Sequence, residues 1–131
     1  MTLTGIPSIG GTFYLAYSEA EKANKRQKMA AIIVKGGTVL AAAHNKIIDS
    51  DPKALYGCSI HAERAAISLA PYNISGSKIL VYRFYRKNDE LASSKPCSSC
   101  AQAIVNAGIS WAYYIDSDSN LIKVRSHSLF E

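Results

Sequence analysis

Apolar positions recur along this chain with two different periods, and each period predicts a different kind of element. Phe13, Ala16, Tyr17, Ala20 and Ala23 fall at helical spacing, with Thr12 placed to cap the helix and lysines on its other side. Residues 29–35 and 38–43 are β-rich runs separated by Gly36-Gly37, the composition of a tight hairpin turn in which both residues need positive φ. The stretch 44–59, punctuated by Asn45, Asp49, Asp51-Pro52 and Gly57, reads as a long loop.

A helix is predicted from about His61 and is stopped by Pro71, which has no N–H to donate and clashes with the preceding turn. KILVYRF, residues 78–84, is an almost unbroken apolar run, as expected of a strand covered on both faces. The polar stretch 86–95 reads as a loop. Pro96 opens a helix over 97–107, and Gly108 ends it. WAYYID (111–116) is a second buried strand, so 78–116 forms a βαβ unit with a right-handed parallel crossover. LIKVRS (121–126) follows Asp118-Ser119-Asn120 closely enough to return antiparallel. The order helix, hairpin, helix, strand, helix, strand, strand is an α/β arrangement with a central mixed sheet and helices on its faces. In such sheets sites form where helix N-termini and strand ends converge.

At 131 residues the chain is sized for one domain spanning residues 1–131, burying roughly 65–70% of its unfolded surface. Hydrophobic residues at 48% and charged residues at 19% place it with folded rather than disordered chains. The longest apolar runs, MAAIIV and VLAAA, fall far short of the ~18–20 residues a bilayer span needs. The start MTLTGIPSIGG has neither a basic end nor an apolar run, so no secretory signal is expected. Together with three cysteines, an odd number, this predicts a cytoplasmic protein without a disulfide framework. The net charge of +5 favours an anionic partner or simply a solvated basic surface. Its basic residues are scattered except at Lys22, Lys25, Arg26 and Lys28.

The chemistry concentrates at two helix starts. His61 opens one helix, and Cys97 and Cys100 lie on the first turn of the other, where residues at i and i+3 share a side and the helix N-terminus favours thiolate. One imidazole and two thiolates form a soft tetrahedral donor set suited to Zn²⁺, and three protein ligands leave the fourth position open for water. Glu63, two residues after His61, points away from its direction on the helix and can take a proton beside the metal. Plainer readings stand next to this one. Cys97-Ser98-Ser99-Cys100 could be a redox dithiol, and Cys58 could close a structural Cys3His site and leave Glu63 idle. Cys58 also reads simply as a small buried hydrophobe, and His44 and His127 as surface or internally satisfied histidines. Asn45 reads as a left-handed turn residue. Tyr56, Tyr72 and Tyr85 read as packing or as base-stacking groups, Trp111 as core, and the Lys22–Lys28 cluster as a solvated helix face.

His61-Ala62-Glu63 followed by Pro96-Cys97-Ser98-Ser99-Cys100 resembles the H-x-E and P-C-x-x-C signature of zinc deaminases, and the chain is identified as a member of the cytidine deaminase superfamily. Both motifs, in that order and at helix starts, are specific, and the order of elements resembles the family over most of the chain. The resemblance implies a three-layer α/β/α fold around a mixed five-stranded sheet. It implies Zn²⁺ held by His61, Cys97 and Cys100, with Glu63 as proton shuttle. It also implies that Asn45, in AAAHNKI, contacts the substrate sugar and that backbone groups of Ala62 and Cys97 read the base edge. The implied activity is hydrolytic deamination of a cytosine-type nucleoside or nucleotide, dCMP or (deoxy)cytidine, by a homo-oligomer. A base within RNA or single-stranded DNA is the alternative substrate, and a non-catalytic zinc module the alternative function. The branches diverge in detail. HAE with SKPC resembles the deoxycytidylate and tRNA-adenosine deaminases, whereas an antiparallel final hairpin resembles the free-nucleoside deaminases, and the C-terminal helix usual in tRNA-adenosine deaminases is not expected after it. Two departures are the long loop RKNDELASSK and the absence of a glutamate after Asn45.

Overall fold

Gly36 and Gly37 have φ of 57° and 80°, the left-handed region in which a Cβ is strained. They fold β1 (Gln27–Lys35) back onto β2 (Thr38–His44) as an antiparallel hairpin. This computed structural model describes residues 12–23, 27–47, 59–71, 73–85 and 92–130. After β2, the short strands β3 (Lys46–Ile47) and β4 (Ser59–Ile60) pair antiparallel in a ladder of their own. β5 (Lys78–Tyr85) runs antiparallel to the free edge of β1, β6 (Trp111–Ile115) lies parallel to β5, and β7 (Leu121–Arg125) returns antiparallel to β6. The result is a mixed five-stranded sheet in the order β2-β1-β5-β6-β7.

Helices cover both faces, because strand side chains alternate and each face carries its own apolar set. α1 (Thr12–Ala20) lays Phe13, Ala16 and Ala20 on Ile32, Leu80, Tyr82 and Phe84. The Phe13 ring meets Tyr82 and Phe84 edge-to-face at 5.8 Å, the geometry that aromatic quadrupoles prefer. α2 (Ala62–Leu69) and α3 (Ser98–Asn106) cover the other face, where Ala66, Ala101 and Ile104 pack with Ala31, Ile33, Ile79 and Val81. Ala70, held extended at φ −70° and ψ 150°, ends α2 because the residue before Pro71 is excluded from helical geometry. This is the three-layer α/β/α fold with a mixed five-stranded sheet.

Some elements differ from the sequence reading. The supposed loop 44–59 contributes β3 and β4 at its two ends. A 3-10 helix, Ser126–Phe130, follows β7 where no element was expected. Trp111 is only half-buried, with Lys123 and Arg125 lying over its ring at 4.4 and 4.6 Å. Lys28 belongs to β1 rather than to a helix face, is buried, and pairs with Glu21. Tyr56, Tyr72 and Cys58 lie outside the described residues, as does the Tyr85 side chain. Among the described residues no helix is long and apolar enough to cross a membrane.

Candidate metal centre

α2 and α3 begin in the same way. His61 is the N-cap of α2 (φ −68°, ψ 153°) and Cys97 the N-cap of α3 (φ −70°, ψ 167°), and neither side chain caps its own helix. Their carbonyls accept the first helical bonds, from Ala65 N–H at 3.0 Å and Ala101 N–H at 2.8 Å. An ordinary N-cap turns its side chain back onto the helix, whereas these two turn theirs toward each other. His61 Nδ1 is 3.7 Å from Cys97 Sγ and 3.3 Å from Cys100 Sγ, and the three donor atoms lie within 4.8 Å of one another. Tetrahedral Zn²⁺ with ordinary Zn–N and Zn–S bonds separates such donors by about 3.5–3.8 Å, so both the spacing and the donor chemistry fit this ion.

The electrostatics point the same way. Burial raises the Cys100 thiol far above its usual range, and the Glu63 carboxylate and Cys97 raise it further. Acidic groups that suppress one another's ionisation in this way are what a divalent cation relieves. Glu63 sits on the first turn of α2 and is 1% exposed. Burial raises its carboxyl above the ordinary value, and its own backbone N–H, His61 and Cys100 offset only part of that rise. Oε1 of Glu63 is buried without a hydrogen-bond partner. A buried polar atom of this kind needs an explanation.

Asn45 is delivered by the β3–β4 ladder. Its pairs Lys46↔Ile60 and Ile47↔Ser59 run antiparallel, so one step further the register places Asn45 across from His61. Asn45 is 5% exposed and its Oδ1 accepts the Met29 N–H at 2.9 Å. The left-handed turn reading is excluded, since Ser119 is the non-glycine residue with positive φ among those described. Ala62, fully buried, begins α2 between His61 and Glu63. The structure thus brings His61, Ala62, Glu63, Cys97 and Cys100 to one place, and the contact it shows for Asn45 is with Met29. His44 is satisfied elsewhere, its Nδ1 2.6 Å from Glu19 Oε2.

A buried polar residue that the sequence reading passed over lies three positions before Cys97. Ser94, within the supposed loop before Pro96, is buried and hydrogen-bonded to both β5 and β6. Only the serine itself hinted at this, and a serine in a polar run gives no such signal.

The family model describing the cytidine and deoxycytidylate deaminase zinc-binding region matches residues 12–115. Among solved structures, the apo dCMP deaminase of cyanophage S-TIM5 is 26% identical over 85% of each chain, with a TM-score of 0.60. The same enzyme in complex with dCMP and dUMP is 24% identical over 82% of this chain and 78% of that one, with a TM-score of 0.55. Cytidine deaminase from Burkholderia pseudomallei shares the fold at 19% identity over 98% of this chain and 96% of that one, with a TM-score of 0.63. No curated protein matches the sequence.

Proposed function

The chain belongs to the family of the cytidine and deoxycytidylate deaminase zinc-binding region, and from that premise we propose that it hydrolyses the exocyclic amine of a cytosine-type nucleoside or nucleotide, dCMP or (deoxy)cytidine, releasing ammonia. The observation that carries this reading is Glu63, a buried carboxylate with an unpartnered oxygen next to three metal-ligating side chains. A purely structural zinc site has no use for such a group. The cyanophage relative, whose complex holds dCMP and dUMP, supports a nucleotide as the substrate class.

In this mechanism His61, Cys97 and Cys100 would hold Zn²⁺. The bound ion supplies Lewis acidity that makes water nucleophilic near neutral pH. Glu63 accepts a proton from the attacking water and delivers it to the ring nitrogen beside C4. As the C4–N bond breaks, Glu63 passes a second proton, from the added hydroxyl, to the departing amine, so that ammonia leaves and a carbonyl remains. Burial suits Glu63 to this work, because raising the pKa of a carboxyl makes it a stronger proton acceptor than an ordinary glutamate. Asn45, fixed by Met29, holds the sugar, and the backbone of Ala62 and Cys97 faces the base edge.

The test is ammonia release from cytidine, deoxycytidine, their monophosphates, adenosine, guanine and short oligonucleotides, run beside Glu63→Ala. Turnover of a cytosine monomer that disappears in the variant while zinc stays bound is expected. A zinc-replete protein that releases no ammonia from any of them overturns the proposal, and turnover confined to oligonucleotides moves the substrate to a polynucleotide.

A further inference from the structure

The parallel ladder between β5 and β6 stops after Lys78↔Trp111, Ile79↔Ala112 and Leu80↔Tyr113, although the strands continue to Tyr85 and Ile115. Buried backbone groups past that point need other partners. Ser94 meets the need at the fork. Its hydroxyl donates to the Val81 carbonyl at 2.7 Å and accepts the Ile115 N–H at 2.8 Å. Its own N–H donates to the Ile115 carbonyl at 2.8 Å. In a continued parallel ladder Val81 C=O and Ile115 N–H would bond each other directly, so a single hydroxyl has been inserted into that bond.

The insertion parts the strands and lets another segment run between them. Ala92 N–H donates to the Arg83 carbonyl at 2.8 Å, and Arg83 Nη1 donates to the Ser93 carbonyl at 3.2 Å. Ser94 is 2% exposed, and both its donor and its acceptor capacity are engaged within the fork. Three residues later the segment ends at Cys97, whose Sγ faces His61. Of the two residues between Ser94 and Cys97, Pro96 has a fixed φ and is buried, which limits how the segment can reach Cys97.

We infer that Ser94 is a positioning residue of the metal centre. Its hydroxyl sets the opening of the β5–β6 fork and thereby the placement of Cys97 relative to His61. This rests on the reading of His61, Cys97 and Cys100 as Zn²⁺ ligands, but not on which substrate the enzyme takes.

The experiment uses the full chain loaded with Zn²⁺ and follows metal release into excess chromophoric chelator, together with the thiolate-to-metal absorption of the Co²⁺-substituted protein. Ser94→Ala is expected to speed release and weaken Zn²⁺ affinity about tenfold, the low end of what outer-shell metal-site substitutions cost, and to shift the Co²⁺ spectrum. Ser94→Thr, which keeps the hydroxyl, is expected to recover most of the affinity. Ile104→Val, a core change on α3 that removes one buried methyl group and lowers stability modestly, calibrates the effect of destabilisation alone. Release from Ser94→Ala no faster than from Ile104→Val, with an unchanged Co²⁺ spectrum, overturns the inference even where the zinc-free variant unfolds. A wild-type chain that holds zinc but turns nothing over defeats the proposed activity and leaves this result standing, whereas one that binds no zinc defeats both.

Discussion

A carboxylate placed out of reach of water raises the free energy of a fold unless something at that point requires it, and Glu63 is such a group at the start of α2. Its carboxylate is not among the donor atoms of His61, Cys97 and Cys100 that lie within 4.8 Å of one another. Glu63→Gln keeps the shape and removes the exchangeable proton. It is expected to lower kcat by about 10²- to 10⁴-fold, the usual worth of a general acid–base group, while metal analysis still finds zinc at the wild-type level. Loss of zinc in parallel with activity would instead make Glu63 a ligand. These residues were legible in the sequence because ligands carried at a helix start need short, fixed spacings, and His-x-Glu and Cys-x-x-Cys are those spacings written out. Ser94 was not legible. Its partners Val81 and Ile115 are 13 and 21 residues away, and no local pattern announces a hydroxyl spliced into a strand ladder.

The elements divide along the same line. The β1–β2 hairpin could be read from Gly36-Gly37 because the turn's backbone demands are local, and both glycines do adopt positive φ. Gly37→Ala is expected to lower stability by about 1–2 kcal/mol, read as a lower urea midpoint at unchanged slope. An added Cβ there meets nothing within 4 Å, so the effect is backbone strain alone, and zinc content should not change. An unchanged midpoint would mean that the turn relaxes into another type. The β3–β4 ladder escaped the sequence reading for the opposite reason. Two-residue strands carry no period, and what defines them is a pairing between Lys46 and Ile60, residues far apart in the chain.

At the scale of the whole molecule the two faces of the sheet have separate duties. α2 and α3 build the metal centre on one face, and α1 stabilises the other through Phe13, Ala16 and Ala20 and through ion pairs at its C-terminal end. Glu19 there faces His44 at 2.6 Å and Lys22 at 3.2 Å, joining α1 to the end of β2 directly before Asn45. Burial alone would raise the Glu19 carboxyl, but the hydrogen bonds from His44 and Lys22 and their charges outweigh it and hold the group below its ordinary value. A carboxyl whose pKa is lower in the folded than in the unfolded chain leaves the unfolded chain binding more protons between the two values. The stability it contributes is therefore complete above the unfolded value, roughly 4.3 for glutamate, and is lost as the pH falls through the folded value. Glu19→Gln is accordingly expected to be less stable than wild type at neutral pH and to converge with it in acid. Urea midpoints of both proteins, followed from neutrality to about pH 3, check this. A gap that stays constant over that range would mean that the carboxylate charge does not hold α1 to β2. Because α1 lies on the face opposite the metal centre, zinc content at neutral pH should be the same in the two proteins.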